Sequence, residues 1–281
     1  MSQKVKWTRR MIPNSVRRAF EVRYASSASN IFHCCVQKTA SQWVRAILQN
    51  KRTYKYSGLK VFNYEERLPD RVDPRSLTAR TFDQPFPAGT IVSPIYIDQK
   101  GLKGIPKQGA FRAFFVMRDP RDIVVSRYYS FKISHPEIGN ISTVRQDLNA
   151  MSEEDGLAYT IDQLVKRGLF EALRSWAEVS PSDKNLLAVR YEDLTGAEQF
   201  QAWQRLFSHC DIRMPDRVVR ELLERNSFSA LTEGRAQGAE DVNSHLRKGV
   251  HGDWKNHFTS AIERKFRETT GSLIEELGYS W

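Results

Sequence analysis

Residues 31–50, IFHCCVQKTASQWVRAILQN, contain the pattern from which the fold can be inferred. The run 31–36 is short, apolar and rich in strand-forming residues, which is typical of a buried β-strand. After a polar loop, Trp43, Ile47 and Leu48 recur at the spacing of one helical face. We therefore predict a strand, a loop and a helix in this order.

The same order of elements recurs twice further along the chain. Residues 111–117 (FRAFFVM) predict a second buried strand, and Asp119 and Pro120 suit the N-cap and the first position of a following helix. Residues 185–194 (NLLAVRYEDL) predict a third strand that ends in a polar turn, after a helix-like segment at 157–179. This alternation predicts an α/β fold, with a central parallel β-sheet flanked by helices on both faces. In such sheets, ligands bind beyond the carboxyl ends of the strands.

The remaining segments are less regular. Residues 51–110 are rich in Pro, Gly and charge; within them, 90–97 (TIVSPIYI) predict a short strand and 98–109 a loop. Residues 196–231 predict mainly helices, and 232–253 a polar, mobile loop.

Composition and charge limit the classes of protein. No apolar run approaches the roughly 18–20 residues that span a bilayer, and the N-terminus lacks the apolar core of a secretory signal, so we expect a cytoplasmic protein. The net charge of +10 favours an anionic partner. Residues 1–24 hold seven Lys and Arg against one acid. We predict a basic N-terminal arm, 1–30, before one domain, 31–281. A solvated arm is the plainer interpretation, and peripheral contact with a membrane surface or a partner is the alternative.

Cysteine and histidine usage indicates neither disulfides nor a metal site. Cys34 and Cys35 are neighbours inside the first predicted strand, and the chain has three cysteines in all, so we expect reduced thiols. No Cys-x-x-Cys pair, His-Glu-x-x-His motif or acidic calcium loop occurs. We predict no metal.

The loop after the first strand, QKTASQW (37–43), has the character of a phosphate site. Lys38, followed by small and hydroxylated residues at a predicted helix N-terminus, would surround an anion with backbone N–H groups. No Gly-Lys dipeptide occurs in the chain, so this is not a G-x-x-x-x-G-K-[ST] nucleotide loop. An ordinary strand-to-helix turn with an exposed lysine remains the alternative.

A second phosphate site is indicated by RDPRDIVVS (118–126). Arg118 ends the second strand, and Ser126 lies two helical turns later on the side that can face back toward the strand end, so both could hold one phosphate. The alternative is that Arg118 pairs locally with Asp119 or Asp122.

A third motif, LRKGVHGDWKNHF (246–258), lies near the C-terminus and combines adjacent cations with glycines. With Thr259 it matches R-K-G-x-x-G-D-W-K-N-x-F-T, the C-terminal signature of the sulfotransferases that use 3′-phosphoadenosine 5′-phosphosulfate (PAPS). In the order and spacing of all three motifs the chain resembles this family, especially its soluble, cytosolic type. The resemblance covers about residues 31–270 and implies the P-loop-like sulfotransferase fold.

The resemblance also implies roles for individual residues, all of them in binding PAPS. Its positions fall into four groups: Lys38, Thr39, Ala40, Ser41 and Gln42 match the 5′-phosphosulfate loop, with Trp43 stacking on adenine; Arg118 and Ser126 match the 3′-phosphate pair; Tyr191, Asn226 and Phe228 match the adenine lining; and Arg247, Lys248 and Gly249 match the loop that closes over the 3′-phosphate.

The reaction implied is transfer of the sulfuryl group of PAPS to a hydroxyl or amine of a small-molecule acceptor, with release of adenosine 3′,5′-bisphosphate (PAP). Lys38 would stabilise charge on the departing phosphate, and no metal would be needed. A nucleic-acid partner is not expected. The alternatives are a catalytically degenerate PAPS/PAP-binding protein, a P-loop small-molecule kinase and a basic nucleic-acid-binding protein.

The chain departs from the family pattern at three places, one of which is the C-terminal dimer motif K-x-x-x-T-V-x-x-x-E, where Ser260 and Arg264 replace Val and Glu. Gln37 and Ala40 stand where the family usually has Pro and Gly. The usual histidine general base is missing from the corresponding stretch, TIVSPIYIDQ. Among the candidates nearby we prefer Asp98, and Tyr96, Glu65 and Glu66 are the alternatives.

Three of the six histidines are interpreted by position. We predict that His33 is a core residue and His257 a structural one, while the role of His135 stays open. The acceptor pocket is expected to use residues 51–110, the segment after Ser130 and parts of 232–246. Seven aromatic residues are available in the first of these segments, each with core packing as the alternative: Tyr54, Tyr56, Phe62, Tyr64, Phe82, Phe86 and Tyr96.

Overall fold

The computed structural model describes residues 21–65, 73, 80–137 and 140–281. Its centre is a sheet of five strands, all parallel, in the order β2-β3-β1-β4-β5. The strands are β1 Asn30–Cys35, β2 Lys60–Phe62, β3 Thr90–Tyr96, β4 Phe111–Met117 and β5 Leu186–Arg190. The first, second and third strands predicted from the sequence correspond to β1, β4 and β5.

Helices occupy most of the connections between the strands. They are α1 Ser41–Leu48, α2 Lys51–Lys55, α3 Gln99–Gly104, α4 Pro120–Tyr129, α5 Ile141–Ala150, α6 Glu153–Lys166, α7 Leu169–Ala177, α8 Tyr191–Thr195, α9 Gln199–His209, α10 Asp216–Arg225, α11 Phe228–Leu231, α12 Ser260–Thr270 and α13 Leu273–Glu276. A π-helical turn, Ser130–Ser134, continues α4, and a 3-10 turn spans Asp253–Asn256.

Each face of the sheet is covered by its own apolar core. Successive residues of a strand point to opposite faces, so Phe115 packs with Trp176 of α7 on one face, while Phe114 lies with Trp203 of α9 on the other. Helices α4, α6, α7 and α12 contribute to the first core, and α1, α9 and α10 to the second. Helices on both faces of one parallel sheet confirm the predicted fold class.

Three local expectations need correction. The segment 98–109, predicted as a loop, contains α3, because the carboxylate of Asp98 accepts the N–H of Gly101 at 2.6 Å and Leu102 is buried. The helix-like segment 157–179 is divided into α6 and α7 at Gly168, whose φ of 67° breaks the helix. The irregular region 51–110 also contains α2 and β2.

The start of the described chain is bonded to the domain. Arg23 N donates to Lys55 O at 2.7 Å, and Tyr24 Oη donates to the carboxylate of Asp211 at 2.6 Å. The rest of the predicted basic arm, residues 1–20, lies outside the described residues. Among the residues described, no helix is long and apolar enough to span a membrane.

Cys34, Cys35 and Cys210 are all free and buried, and reduced thiols stay a prediction. His33 is fully buried in β1, as predicted: its Nδ1 lies 2.8 Å from Ser93 Oγ, and its ring stacks on Phe114. Burial lowers the pKa of His33 to about 3, so the ring is neutral.

The topology brings the polar motifs to one edge of the sheet. Strands β1, β4 and β5 are neighbours, and their carboxyl ends are followed by Lys38, Arg118 and Tyr191 respectively. Because parallel strands end on the same side, these three residues meet at this edge.

Candidate functional site

The loop between β1 and α1 is a tight, left-handed turn. Lys38 and Ala40 have φ values of 68° and 60°, and Thr39 Oγ1 donates to Val36 O at 2.8 Å. The first hydrogen bond of α1 runs from Val44 N to Ala40 O. The N–H groups of residues 41–43 come before it, so they have no acceptor within the helix and remain available to an anion.

Arg118 connects this loop to the C-terminal motif. Its Nη1 donates to Lys38 O at 2.9 Å and its Nη2 to Val250 O at 3.4 Å. The guanidinium lies 4.5 Å from the centre of the Tyr191 ring. Its Nε is buried without a hydrogen-bond partner. The side chain is thus held in place while one buried donor is left for a ligand.

The acids near Arg118 are used elsewhere. Asp119 caps α4 through the N–H of Arg121 and forms a buried ion pair with that guanidinium at 2.7 Å. Asp122 accepts the N–H groups of Gly252 at 2.6 Å and Trp254 at 3.0 Å. The local pairing considered as an alternative for Arg118 is therefore not seen, and Asp122 fixes the turn that follows the C-terminal cations.

Residues 232–252, which we call the cover loop, contain no regular helix or strand. The loop is closed by its own backbone, with Gly238 N donating to Lys248 O at 2.9 Å and Asp241 N to Arg247 O at 2.9 Å. The guanidinium of Arg235 donates to the carbonyls of Leu246 and Arg247. These bonds give the predicted loop a defined shape.

Arg247 and Lys248 share a counter-ion, Asp253. Arg247 forms ion pairs with Asp253 and Glu240, and Lys248 Nζ lies 2.6 Å from Asp253 Oδ1. Burial by itself raises the pKa of Asp253, but hydrogen bonds from His257, Lys248 and other neighbours outweigh it and bring that pKa well below its ordinary value. The two cations are thereby presented together at the cavity described below.

His257 is a structural residue, as the sequence predicted. Its Nδ1 lies 2.7 Å from Glu153 Oε1 and its Nε2 lies 3.4 Å from Asp253. The interaction with the carboxylate of Asp253 raises the pKa of His257, and Glu153 acts in the same direction.

Gly249 and Phe228 are in close contact across the cover loop. A Cβ atom on Gly249 would lie 2.2 Å from Cδ2 of Phe228, and φ at Gly249 is 70°. Nearby, the indole Nε1 of Trp43 donates to Asn226 O at 2.7 Å, which fixes the ring orientation. Only glycine allows the loop to approach the aromatic ring this closely.

These elements surround one cavity of about 360 Å³. Most residues that the resemblance assigned to PAPS line it: Lys38, Ala40, Ser41, Gln42, Trp43, Arg118, Ser126, Tyr191, Phe228, Arg247, Lys248 and Gly249. Thr39 and Asn226 do not line it; the first holds the loop through its hydroxyl and the second holds Trp43 through its carbonyl. Sequence motifs far apart in the chain therefore converge on one site.

The wall of the cavity carries positive charge. Among the described residues that line it, four carry a fixed positive charge and none is a carboxylate. Besides Arg118 Nε, the hydroxyl of Ser130, another lining residue, is buried without a partner. A cationic wall with unpaired donors suits a ligand with two phosphate groups.

The base candidates named from the sequence differ in whether they line the cavity. Asp98 does not line the cavity, and its carboxylate is engaged as the cap of α3, so the expectation that it is the general base is not supported. Glu65 is paired with Arg45 at 3.8 Å and also lies away from the lining. Glu66 lies outside the described residues. Tyr96 does line the cavity, with its hydroxyl 3.0 Å from Ser41 Oγ, but burial raises its pKa far above the ordinary range.

Most of the aromatic residues considered for the acceptor pocket are core residues. Phe62, Tyr64, Phe82 and Phe86 contact one another edge to face, or tilted, within the described core. Of the seven candidates, Tyr96 alone lines the described cavity. Core packing, considered for each of them as the alternative, accounts for this cluster.

The structure adds residues that the sequence did not single out. Tyr129 and Ser130 follow Ser126 on the same face at the end of α4, a spacing that could have indicated them. His245, in the cover loop, also lines the cavity, and a loop without periodicity gives no sign of where its side chains point. In the described part of the chain, no group of three metal-binding side chains is found.

Comparison with known proteins places the chain in a family. A family model described as "Sulfotransferase domain" matches residues 102–278. This match begins after the Lys38 loop. Sulfotransferase 1 family member D1 of the mouse is 26% identical over 176 residues, which are 59% of this chain and 55% of that protein. Human Sulfotransferase 2A1 is 26% identical over 183 residues, 60% of each. The chain thus spans little more than half the length of these relatives in the aligned regions.

Solved structures share the fold. Mouse sulfotransferase SULT7A1 complexed with PAP superposes with a TM-score of 0.58 at 19% identity, covering 90% of this chain and 86% of that one. Retinol dehydratase, in complex with androsterone and inactive cofactor PAP, gives a TM-score of 0.53 at 14% identity, covering 90% and 82%. At these identities the likeness concerns the P-loop-like fold. Because the family model matches more than half of the residues, the chain belongs to the sulfotransferase family.

Proposed function

We propose that the protein transfers the sulfuryl group of PAPS to a hydroxyl or amine of a small molecule and releases PAP. Membership of the sulfotransferase family supports sulfuryl transfer as the general reaction. The observation that carries the proposal is the convergence of the Lys38 loop, Arg118 and the pair Arg247–Lys248 on one cavity without a lining carboxylate among the described residues.

The residues present suit both ends of the nucleotide. The N–H groups at the start of α1 and the ammonium of Lys38 would hold the 5′-phosphosulfate. Arg118, with its unpaired Nε, and Ser126 would hold the 3′-phosphate together with Arg247 and Lys248. The lining side chains Trp43, Tyr191 and Phe228 would enclose the adenine, as the resemblance implies.

When bound, PAPS supplies the sulfuryl group, and its 5′-phosphate becomes the leaving group. Lys38 stabilises negative charge on that phosphate, and the aligned peptide dipoles of α1 act in the same direction. A cation fixed at a leaving group in a site closed to water lowers the barrier by several kcal/mol, which makes a metal unnecessary in this proposal.

The domain assignment and the surroundings of the site belong to the same proposal. One sheet with a core on each face supports a single sulfotransferase domain at 31–281. The boundary after residue 30 needs adjustment, because β1 begins at Asn30 and both Arg23 and Tyr24 are bonded to the domain. The acceptor is a small molecule, and no nucleic acid is involved. A cytoplasmic location stays a prediction.

Calorimetric titration with PAP, adenosine 5′-phosphate and ATP tests this assignment. We expect PAP to bind at least about a hundredfold more tightly than adenosine 5′-phosphate, because the charge-assisted bonds to the 3′-phosphate are lost in the latter. Equal affinity for the two would contradict the proposal, and a preference for ATP would indicate the kinase alternative. Transfer of label from ³⁵S-PAPS to a panel of phenols, alcohols and amines then separates an active enzyme from a degenerate nucleotide-binding protein.

A further inference from the structure

The histidine that the family normally uses as a base is absent from β3, and no carboxylate lines the described cavity to replace it. Transfer to a hydroxyl needs a group that accepts the proton as the oxygen attacks sulfur. Such a group must face the same cavity as Lys38, because the phosphate that leaves and the oxygen that attacks lie on opposite sides of one sulfur atom. The lining includes two histidines, His135 and His245.

The ring of His135 is already engaged. Its Nδ1 lies 2.8 Å from Pro136 O, and the ring packs edge to face against Phe131 at 5.1 Å. This hydrogen bond fixes the ring plane and the tautomer, with the proton on Nδ1, so only Nε2 of His135 could accept a proton. His135 is therefore the rival base that the experiment below includes.

The ring of His245 is in the opposite situation. It lines the cavity from the cover loop, and no hydrogen bond joins either of its ring nitrogens to another residue that the structure describes. Lys38 lines the same cavity. Of the two histidines that line the cavity, His245 is the one whose two ring nitrogens are both without a hydrogen bond to the described residues.

We propose that His245 is the general base of the sulfuryl transfer, a role that the cover loop supplies in place of β3. This inference rests on the proposed function. An imidazole nitrogen of His245 accepts the proton of the acceptor hydroxyl while its oxygen forms a bond to sulfur. The bond between sulfur and the bridging oxygen of PAPS breaks, and its electron pair stays on the 5′-phosphate beside Lys38.

The charges around His245 favour the form that this role requires. Partial burial lowers the pKa of His245 below its ordinary 6.5, and the positive charge of Lys38 lowers it further. The imidazole is therefore neutral at pH 7 and can accept a proton. The other charged or titratable groups that line the same cavity lie on several elements: Tyr96 on β3, Arg118 after β4, Tyr129 on α4, His135 beyond it, Tyr191 on α8, and Arg247 and Lys248 on the cover loop itself.

The position of His245 on the cover loop also links proton transfer to closure of that loop over the nucleotide. His245 is two residues before Arg247, and the backbone of the loop pairs Asp241 N with Arg247 O at 2.9 Å. A loop held down by the nucleotide at Arg247 and Lys248 therefore also positions the base. Binding of PAPS and completion of the catalytic site become one event.

The first test compares three variants: His245→Gln, His135→Gln and the matched control His251→Gln. His251 is exposed in the same loop and does not line the cavity. For each, PAP affinity is measured by calorimetry and kcat/KM by transfer of ³⁵S from PAPS to the panel member that the wild type uses best. His245→Gln should lower kcat/KM by about a hundredfold or more and keep PAP affinity within about threefold. It should also remove the acidic limb of the pH profile, and His251→Gln should resemble the wild type.

Two results would overturn the assignment: wild-type kcat/KM in His245→Gln, or loss of the acidic limb in His135→Gln while His245→Gln keeps it. A phenol that is already ionised at the assay pH provides a further check. It needs no base, so His245→Gln should lose much less activity with it than with an aliphatic alcohol. If the wild type transferred label to no panel member, the proposed function itself would fail, and the base assignment with it.

A measurement without turnover tests the geometry alone. The His245 imidazole is titrated by NMR in the wild type and in Lys38→Met, with His245→Gln used to assign its resonance. Removing the ammonium should move the pKa of His245 up toward its ordinary value. An unchanged pKa of His245 would mean that its ring does not lie near the Lys38 ammonium, and this would contradict the proposal.

Discussion

Arg118 Nη1 lies 2.9 Å from the carbonyl oxygen of Lys38, so the residue after β4 holds the loop after β1. The same guanidinium reaches Val250 O at 3.4 Å, in the cover loop. Three segments, separated by 80 and 132 residues along the sequence, are thus joined at one side chain. A phosphate bound at this point would contact all three, which makes Arg118 the structural centre of the proposed nucleotide site.

Replacing Arg118 with Met should weaken PAP binding by about tenfold to a hundredfold, because charge-assisted hydrogen bonds to the phosphate are lost. Binding of adenosine 5′-phosphate should change much less. Calorimetry measures both constants. Arg112→Met is the matched control, since Arg112 lies at the other end of β4 and contacts Asn185. An equal loss for both nucleotides would show that Arg118 does not contact the 3′-phosphate.

Replacing Lys38 with Ala should reduce kcat by about a hundredfold or more, because a preorganised cation at the leaving phosphate is lost. Single-turnover transfer from ³⁵S-PAPS measures this step. Lys103→Ala, on the exposed side of α3, should be close to the wild type. A loss of less than about tenfold in Lys38→Ala would remove this residue from the chemical step.

Replacing Ala40 with Gly should stabilise the protein, since Ala40 has a left-handed φ of 60° that glycine adopts without strain. The expected gain in the free energy of unfolding is about 0.5–1 kcal/mol, the strain relieved minus the extra entropy of an unfolded glycine. Urea denaturation measures it. Ala158→Gly in the helix α6 should have the opposite sign, a loss of about 0.5–1 kcal/mol. Destabilisation by both substitutions would argue against the left-handed turn.

Replacing Gly249 with Ala should weaken PAP binding by about tenfold or more, because the new Cβ would meet the Phe228 ring at 2.2 Å and displace the cover loop. Gly234→Ala is the control for backbone strain: φ at Gly234 is also positive, at 96°, but nothing lies within 4 Å of its Cβ position. Titration of both variants with PAP shows whether a loss of affinity comes from backbone strain at a positive φ or from the contact with Phe228. Similar losses in the two would show that the Phe228 contact is not the cause.

Replacing Asp253 with Asn should lower the free energy of unfolding at pH 6 by about 2–3 kcal/mol, because Arg247 and Lys248 lose a buried counter-ion. The exposed pair of Asp162 and Lys265 supplies the control, and Asp162→Asn should change stability by less than about 1 kcal/mol. Denaturant titrations of each variant give these differences.

The effect of Asp253 should also depend on pH with a definite sign. Its pKa in the folded protein is below the ordinary 3.8, so its contribution is complete above pH 3.8 and is lost as the pH falls toward the folded pKa. Between about pH 2.5 and 6 His257, whose pKa is raised above 6.5, stays protonated and does not interfere. The difference between wild type and Asp253→Asn should therefore shrink below pH 3.8. A difference that is constant down to pH 2.5 would contradict the ion pairs.

The sequence by itself determined the elements whose side chains follow a simple period. The apolar run at β1, the strand of residues 111–117 and the Asp119–Pro120 start of α4 were predicted because burial and capping are local properties of a few neighbouring residues. The parallel arrangement followed, since alternating strands and helices leave few other packings. The short motifs around Lys38, Arg118 and Arg247 were also visible, because phosphate binding needs particular residue types at particular spacings.

Only the tertiary structure decided which polar side chains face the cavity. Asp98 lies two residues after the end of β3, yet it caps α3, because its carboxylate accepts the N–H of Gly101 three residues ahead. Tyr64 and Phe86 are core residues and Phe62 packs against them, although aromatic side chains would have suited an acceptor pocket equally well. His245 reaches the cavity through a loop whose course is set by backbone bonds and by contacts to distant residues. Such contacts have no period in the sequence, so the direction of these side chains is fixed only when the chain has folded.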